Sequence, residues 1–277
     1  VTEDPDYHFA GILDSVQRAA AHLPRVDAIG VSSAGIYINN RTMVASLFLK
    51  VPQELFDAKV KDIYLRVAKE LGDVPIEVRN DGDVTALAGA ASLQDTNILG
   101  IAMGTSEAAG YVDNQGSLTG WLNELAFVPV DYNPQAMVDE WSGDYGCGVK
   151  YFSQDGVIKL APAAGIELDP KLTPAEKLNV VQQLLTEGHS GAEQIFQSIG
   201  RYLGYAIAHY SDFYDLKHVL ILGRVTSGKG GALIKQQAEE VLKVEFPELA
   251  HVQFHLPEES DRRVGQAIAA AGLTPLS

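Results

Sequence analysis

The chain has 277 residues, 46% of them hydrophobic, and a formal net charge of −15. This length and composition favour an α/β protein of two lobes with a full buried core. The acidic balance argues against nucleic acid or an anionic membrane as a partner, because both bind clustered Lys and Arg side chains. No apolar run reaches the length of a membrane span and the first residues do not read as a signal peptide, so we expect a cytoplasmic protein. The single cysteine, Cys147, excludes an internal disulfide and a Cys-rich zinc site.

The first seventy residues alternate between helical and strand patterns. Apolar residues at helical spacing predict a helix over residues 9–23 and an amphipathic helix over 54–71, which Gly72 ends. β-Branched and apolar runs predict strands over 26–32 and 42–49. The chain therefore opens as an α/β unit.

A strand that leads directly into a helix follows, with an acid at the junction. The β-branched run of residues 76–78 gives way at Asn80-Asp81-Gly82 to a small-residue segment with helical character. A carboxylate at such a junction is well placed to accept a proton from an alcohol, because strand ends in α/β sheets face a ligand crevice. Asn and Asp before a helix are also common N-caps, and on this stretch alone capping is the stronger interpretation.

Two further strands, residues 97–103 and 108–113, are joined by Gly104-Thr105-Ser106-Glu107. Such a turn can point successive amides and hydroxyls at one anion without basic side chains. An ordinary hairpin explains the same residues, and without context it is the better interpretation.

The rest of the chain is helix-rich and ends in strand-to-helix units. The turn at residues 223–231 matches part of the phosphate-binding pattern G-x-x-x-x-G-K, but Gly230 stands where that pattern requires Ser or Thr. We therefore interpret it as a glycine-rich turn over a ligand or at a helix start. Predicted helices are residues 149–161, 173–186, 191–210, 232–242 and 261–271, and predicted strands are 218–222 and 251–255.

Three features follow one another along the chain. They are a strand and helix with an acid at their junction, a Gly-Thr-Ser turn between two strands, and a glycine-rich turn before a late helix. This is the order found in actin-like ATPase sugar kinases, and within that superfamily the chain resembles the ROK family (repressor, open reading frame, kinase). Only the first of the matching stretches is a specific motif, although the resemblance covers nearly the whole chain. The matches are residues 80–87 to N-D-A-N-A-A-A-L, 104–106 to G-T-G, 120–130 to a stretch ending G-E-I-G-H-I-P-V, 146–153 to G-C-L-E-T-Y-A-S, and 222–223 to L-G-G.

The resemblance implies an α/β, two-lobed actin-like ATPase (ribonuclease H-like) fold whose first lobe is incomplete at its N-terminus. It divides the chain into lobes at residues 1–94 and 95–277, and it allows a last helix at about 261–273 to pack back toward the first lobe. Relatives are commonly homodimers, so a homodimer is an expectation here as well.

The resemblance also implies ATP-dependent phosphoryl transfer, with Mg²⁺, to a hydroxyl of a sugar-like acceptor. Asp81 would be the general base, and no residue of the chain is predicted to bind a metal. The acceptor would be contacted by Asn80, Glu124, Asn123 and Gly35, and the phosphates and nucleotide by Gly104, Thr105, Ser106, Gly223 and Arg224.

Several positions depart from the family pattern. Phe127 replaces the His that contacts sugar and zinc, Val149 replaces a sugar-contacting Glu, and the Cys cluster is reduced to Cys147, so we expect no structural zinc. The first phosphate loop, D-x-G-G-T, is not in these residues. Either a segment upstream of Val1 carries it, which we favour, or the protein is a degenerate member. The alternative to a kinase is a non-catalytic sugar- or nucleotide-binding relative that acts as a sensor or effector.

Overall fold

The computed structural model describes residues 2–257, so the helix predicted at 261–271 lies outside the described residues. The first third of the chain forms a small α/β unit. Its elements in order are α1 (Pro5–Ala20), β1 (Ile29–Ser32), β2 (Ile36–Ile38), β3 (Arg41–Val44), α2 (Gln53–Leu55), a π-helical turn (Phe56–Val60), α3 (Ile63–Glu70), β4 (Ile76–Arg79) and α4 (Asp81–Leu93).

This first unit has its own apolar core. Strands β1 and β4 pair in parallel from Ile29 opposite Ile76 to Ser32 opposite Arg79. Helices α1 and α3 cover the pair, and the side chains between them are shielded from water. Burial of this kind contributes about 1.5 to 3 kcal/mol per large apolar side chain. The buried members include Ile29, Phe48, Val60, Ile63, Tyr64 and Val78.

The helix predicted over residues 54–71 is interrupted at the π-helical turn. Two carbonyl groups there accept hydrogen bonds from outside the helix ladder: Lys61 O from the amide of Thr42 at 2.9 Å, and Lys59 O from Arg66 Nη1 at 2.8 Å. Since those carbonyls serve other partners, the regular α pattern breaks and resumes at Ile63. The apolar spacing predicted the helical faces correctly but not this break.

The predicted strand over residues 42–49 is half of a hairpin. Strand β3 ends at Val44, and the following turn places Phe48 in the core with 2% of its surface exposed. Its partner β2 was not predicted, although Asn39 and Asn40 between them have positive φ angles of 52° and 62°. Two residues of that kind between strands are a strong hairpin signal.

The remaining elements form a second, larger unit around a four-stranded sheet. Strand order is β6-β5-β7-β8, with β5 and β6 antiparallel and the other pairs parallel. Helices α7 and α8 pack closely together beside it. The elements are β5 (Ile98–Met103), β6 (Glu107–Val112), α5 (Gln154–Leu160), α6 (Pro174–Thr186), α7 (Ser190–Tyr210), β7 (His218–Leu222), α8 (Lys229–Glu245) and β8 (Gln253–His255).

Helix α4 links the two units by packing on the second sheet. Its apolar residues Ala86, Leu87 and Ala90 share a cluster with Ile98 and Leu220 of that sheet. The helix that follows the candidate acid therefore belongs by its contacts to the larger unit. The division into lobes at residues 94 and 95 stays a prediction. Within residues 2–257, no helix combines the length and hydrophobicity that crossing a lipid bilayer requires.

Candidate active site

A cavity of about 480 Å³ lies where the two units meet, beside the carboxyl ends of β5 and β7. All of the predicted site residues except Arg224 line it. They come from five separate parts of the chain: the turn after β1, the start of α4, the turn between β5 and β6, the segment of residues 122–127, and the turn after β7. The Arg224 side chain is exposed, and its carbonyl oxygen accepts a hydrogen bond from Gln182 Nε2 at 2.7 Å.

At the start of α4, one residue caps the helix and the next residue is the candidate catalytic base. Asn80 is the N-cap, with Oδ1 accepting from the amide of Gly82 at 2.8 Å. Its Nδ2 donates to the carbonyl oxygen of Gly35 at 2.9 Å, which ties α4 to the turn after β1. Asp81 is the next residue and lines the cavity. Both polar atoms of the Asn80 amide are therefore engaged, whereas the helix does not need Asp81 as its cap.

A very close backbone contact between α4 and β6 fixes the position of Asp81 in the cavity. A Cβ on Gly82 would lie 2.1 Å from the carbonyl oxygen of Ala109, and a Cβ on Gly110 would lie 2.2 Å from that of Gly82. Only glycine at both positions allows the first turn of α4 to lie directly on β6. The acid is consequently held by the sheet as well as by its own helix.

Two of the carboxylates that line the cavity, those of Asp81 and Glu124, are electrostatically coupled. Burial raises the pKa of Asp81, while hydrogen bonding to its own amide and that of Gly82 lowers it in part. Burial also raises the pKa of Glu124, and the charge of Asp81 raises it further. Raised values bring a carboxylate closer to the basicity that a general base needs at neutral pH. Among the described residues that line the cavity there is no Lys, Arg or His.

The turn between β5 and β6 presents polar groups to the opening of the same cavity. Thr105 and Ser106 are exposed there, and their amides donate to no backbone or side-chain oxygen within residues 2–257. Gly104 is fixed instead, since its amide donates to Ser106 O and its carbonyl accepts from the Gln154 amide, both at 2.9 Å. Free amides on such a turn suit an anion such as a phosphate.

Gly223 closes this side of the cavity. It has φ of 105°, and a Cβ on it would lie 2.3 Å from the carbonyl oxygen of Met103. The turn after β7 thus lies against the end of β5 without a side chain between them. Flat backbone of this kind leaves room for a ligand to approach closely.

Comparison with known families shows to which family the chain belongs. The ROK family pattern matches residues 4–271. The chain belongs to the ROK family. Its fold is the actin-like ATPase fold predicted from the order of its motifs, and its structure is mixed α/β. No curated protein matches the sequence.

Solved structures of ROK proteins superpose on most of the chain. A ROK transcriptional regulator, a homologue of the E. coli MLC protein, has a TM-score of 0.74 at 20% identity, covering 98% of this chain and 69% of its own. A ROK glucokinase from Streptomyces griseus, in complex with glucose and AMPPNP, has a TM-score of 0.70 at 19% identity over 95% of this chain and 88% of its own. A ROK hexokinase from Thermus thermophilus has a TM-score of 0.70 at 18% identity over 98% and 89%.

One side of this cavity is apolar at Ala126 and Phe127. Phe127 lines the cavity and packs on Trp141 with ring centres 5.4 Å apart. Val149 does not line it; the side chain packs behind the wall with Ala126 and Cys147. In residues 2–257 no group of three or more His, Cys, Asp or Glu side chains is arranged to hold a metal ion. The expected absence of a structural zinc stays a prediction.

Asn123 has a geometry that its predicted role did not anticipate. It is 7% exposed and adopts a positive φ of 51°. Its Oδ1 accepts from the hydroxyl of Tyr214 at 3.0 Å, and its Nδ2 donates to the carbonyl oxygen of Trp121 at 3.1 Å. The side chain therefore fixes the loop that carries Glu124, and its role as an acceptor contact remains a prediction.

Two charged residues near the site were not predicted. Glu107, the first residue of β6, lines the cavity, yet both carboxylate oxygens are buried without a hydrogen-bond partner, and burial raises its pKa to about 8. Lys150 is buried and its ammonium lies 2.5 Å from Glu140, 3.1 Å from Asp155 and 3.3 Å from Asp139. Glu107 was predicted to lie in the turn between two strands, so no local signal pointed to its burial. Lys150 had no signal either, because its partners lie in the loop before it and in α5 after it.

Proposed function

We propose that this ROK protein is an ATP-dependent kinase that transfers a phosphoryl group to a hydroxyl of a sugar or sugar-like acceptor. The observation that carries the proposal is that Asp81, which is not the N-cap of its helix, lies in one cavity with the unpartnered amides of Thr105 and Ser106. A base for the acceptor and donors for the phosphate are the two parts that phosphoryl transfer needs close together. The names of the superposed ROK kinases agree with this reaction.

Each of the cavity residues has its own role in the proposed reaction. The acceptor oxygen attacks the γ-phosphorus, its proton passes to the Asp81 carboxylate, and the bond from the γ-phosphorus to the bridging oxygen breaks to release ADP. Glu124 accepts a hydrogen bond from the acceptor and orients it. The amides and hydroxyls of Thr105 and Ser106 donate to the transferring group, where charge stabilisation supplies most of the catalysis.

The cavity fits a nucleotide that brings its own cation. The cavity reaches the backbone of Gly104 and Gly223, but its described lining offers no side-chain cation for the phosphates. Mg²⁺ bound with ATP supplies the positive charge that offsets the phosphates. Asp81 and Glu124 could contact this Mg²⁺ through water, while the phosphates would remain its direct ligands.

Replacement of Asp81 by Asn tests the proposal. We expect D81N to lower kcat by at least about 10³-fold, because removal of a general base costs that order of rate. Binding of Mg-ATP, followed by calorimetry, should change by less than about twofold, because the phosphates contact other groups. The assay measures ADP release in the presence of hexoses, amino sugars and cyclitols.

Asp6→Asn is the matched control. It makes the same change in the first turn of α1, where Asp6 is exposed and pairs with Lys59 at 2.6 Å, far from the cavity. Its turnover should equal that of the unmodified protein. Undiminished turnover in D81N would refute the assignment of the base.

A sugar sensor without catalysis is the second candidate. Phe127 makes the acceptor end of the cavity more apolar than the family pattern, and a ROK transcriptional regulator superposes over 98% of the chain. Sugar binding without ADP release for any acceptor would favour this candidate.

A further inference from the structure

A second cavity, of about 500 Å³, lies on the other side of the segment that carries Glu124. We call it the aromatic groove: its walls include the rings of Trp121, Tyr210, Phe213 and Tyr214, together with Asn123 and Glu124. Trp121 is 53% exposed and Phe213 65%. Exposed aromatic rings grouped in a concave site are typical of a binding surface rather than of an ordinary exterior.

Two rings of the groove, those of Trp121 and Tyr214, are held in place by their neighbours. Trp121 stacks on Tyr111 with centres 6.3 Å apart and an interplanar angle of 13°, and it packs on Tyr214 at 5.7 Å. The Tyr111 hydroxyl donates to the carbonyl oxygen of Asp215 at 2.8 Å, and that of Tyr214 donates to Asn123 at 3.0 Å. A platform held this way loses little conformational entropy when a ligand covers it.

The groove and the active-site cavity share two wall residues. Asn123 and Glu124 line both, and Glu124 is exposed. A ligand whose reacting hydroxyl lies near Asp81 and Glu124 can therefore continue past Glu124 onto the aromatic rings. A cavity of about 500 Å³ is ample for one further ring.

The lining defines the chemistry of that further ring. Pyranose rings have apolar C–H faces that pack on aromatic rings and hydroxyl edges that hydrogen-bond, and the groove offers both kinds of partner in Trp121, Phe213, Asn123, Glu124 and His209. The Glu124 carboxylate disfavours an anionic substituent. A neutral sugar or aryl ring suits these walls.

We infer that the acceptor is a glycoside, whose reacting sugar occupies the active-site cavity while its second ring stacks on Trp121 and Phe213 in the aromatic groove. This inference rests on the proposed sugar kinase function and names the class of its substrate. Trp121 and Phe213 are then specificity-determining residues, and they take no part in the transfer itself.

Calorimetry without nucleotide tests the inference directly. Each hexose and amino sugar of a panel is compared with its phenyl glycoside and with a disaccharide that contains it. For at least one sugar, we expect the glycoside to bind about tenfold or more tightly than the parent, which corresponds to about 1.4 kcal/mol. Trp121→Ala and Phe213→Ala should abolish this preference and leave binding of the parent sugar within about twofold.

Tyr145→Ala is the matched control, because Tyr145 is 64% exposed and lies outside both cavities. It should alter neither affinity. Equal affinity for parent and glycoside throughout the panel, or binding of no member, overturns the inference. Equal weakening of the parent sugar and the glycoside in Trp121→Ala also overturns it. The same holds if the groove is covered by a second copy of the chain, which sedimentation would show as a dimer that Trp121→Ala converts to monomer.

The binding experiment and the turnover experiment can fail separately. If the protein prefers glycosides but releases no ADP with any acceptor, the inference about the aromatic groove stands and the kinase proposal fails. If turnover depends on Asp81 but glycosides have no advantage, the kinase proposal stands and the inference about the aromatic groove fails.

Discussion

Glu107 is a carboxyl group that the fold keeps away from both water and partners. It is 5% exposed, and the hydroxyl of Tyr210, whose pKa its charge raises, is also buried without a partner. Burial raises the pKa of Glu107 from 4.5 to about 8, so the folded protein retains a proton that the unfolded chain has lost. Stability should therefore fall as pH rises from about 4.5 to about 8 and change no further above that range.

Glu107→Gln should remove this dependence. The slope assigned to Glu107 is up to about 1.4 kcal/mol per pH unit, and it is measured by urea unfolding at several values between about pH 6.5 and 8. In this range the pKa of Asp83, which burial raises to about 6, contributes little. Glu70→Gln, at an exposed position of α3, should keep the slope of the unmodified protein. Parallel pH curves for Glu107→Gln and the unmodified protein would contradict the prediction.

Lys150 is the opposite case, a buried cation with several partners. Its side chain is 4% exposed; burial lowers its pKa, but hydrogen bonds to Glu140 and Asp155 outweigh this and raise it. Lys150→Met would leave the Asp139 carboxylate, 9% exposed, without its ammonium partner. We expect a loss of roughly 2 to 4 kcal/mol in the free energy of unfolding.

Lys159→Gln provides the comparison for Lys150. Lys159 also contacts Glu140, at 3.3 Å, but this pair is largely exposed. Chemical denaturation should therefore show a loss below about 1 kcal/mol. Equal losses in the two variants would mean that burial of the ammonium does not matter.

At the scale of elements, α4 depends on its first glycine more than on its helix propensity. Gly82→Ala would place a methyl group 2.1 Å from the carbonyl oxygen of Ala109 and lift the helix from β6. We expect a loss of about 1 to 3 kcal/mol in stability, together with a fall in kcat because Asp81 moves with the helix. Thermal unfolding and ADP release measure the two effects.

Gly11→Ala makes the same change in the exposed middle of α1. Nothing lies within 4 Å of the added methyl group there. This variant should gain about 0.5 to 1 kcal/mol, because alanine loses less backbone entropy than glycine in a helix. A Gly82→Ala protein that behaved like Gly11→Ala would show that the contact with β6 is not restrictive.

The sequence predicted elements best where periodicity and local caps agree. The run from strand to Asn80-Asp81-Gly82 to helix was predicted with its boundaries, as was α6, whose Thr173 and Glu176 form a capping box. The Asn39-Asn40 hairpin was missed because its strands have only three and four residues. Periodicity also could not show the break in the helix before α3, since its cause is an acceptor used by a distant strand.

Site prediction had the same limit. Local patterns pointed to Asp81 and the Gly-Thr-Ser turn, and the family resemblance pointed to Glu124. The structure brings them into one cavity, and their roles stay predictions. The exposed position of Arg224, the buried carboxyl of Glu107 and the loop-fixing amide of Asn123 depend on contacts between residues far apart in the chain. No spacing rule contains that information.

For the whole molecule, net charge opposes the ligand that the cavity is proposed to bind. The protein carries −15 formally, and the described cavity lining contains no side-chain cation. Mg-ATP is also an anion, so added salt should screen the repulsion and accelerate association. We expect the association rate constant of a fluorescent ATP analogue with Mg²⁺ to rise about two- to fivefold between about 20 and about 200 mM salt, as measured by stopped flow.

Most phosphate sites show the reverse salt dependence, because their basic side chains attract the ligand. An association rate that fell with salt would indicate a local positive field and contradict the prediction. Glucose in place of the nucleotide is the control, since a neutral ligand should show no such trend.

Gly110 does not line the cavity, yet it helps to determine where Asp81 lies. Its missing side chain is the gap into which the Gly82 carbonyl fits, so neither glycine can be replaced without displacing the other's segment. A side chain at this strand position would therefore displace the first turn of α4 and Asp81 with it, and no substitution on the facing helix could relieve the clash, because the atoms that the side chain meets belong to the backbone.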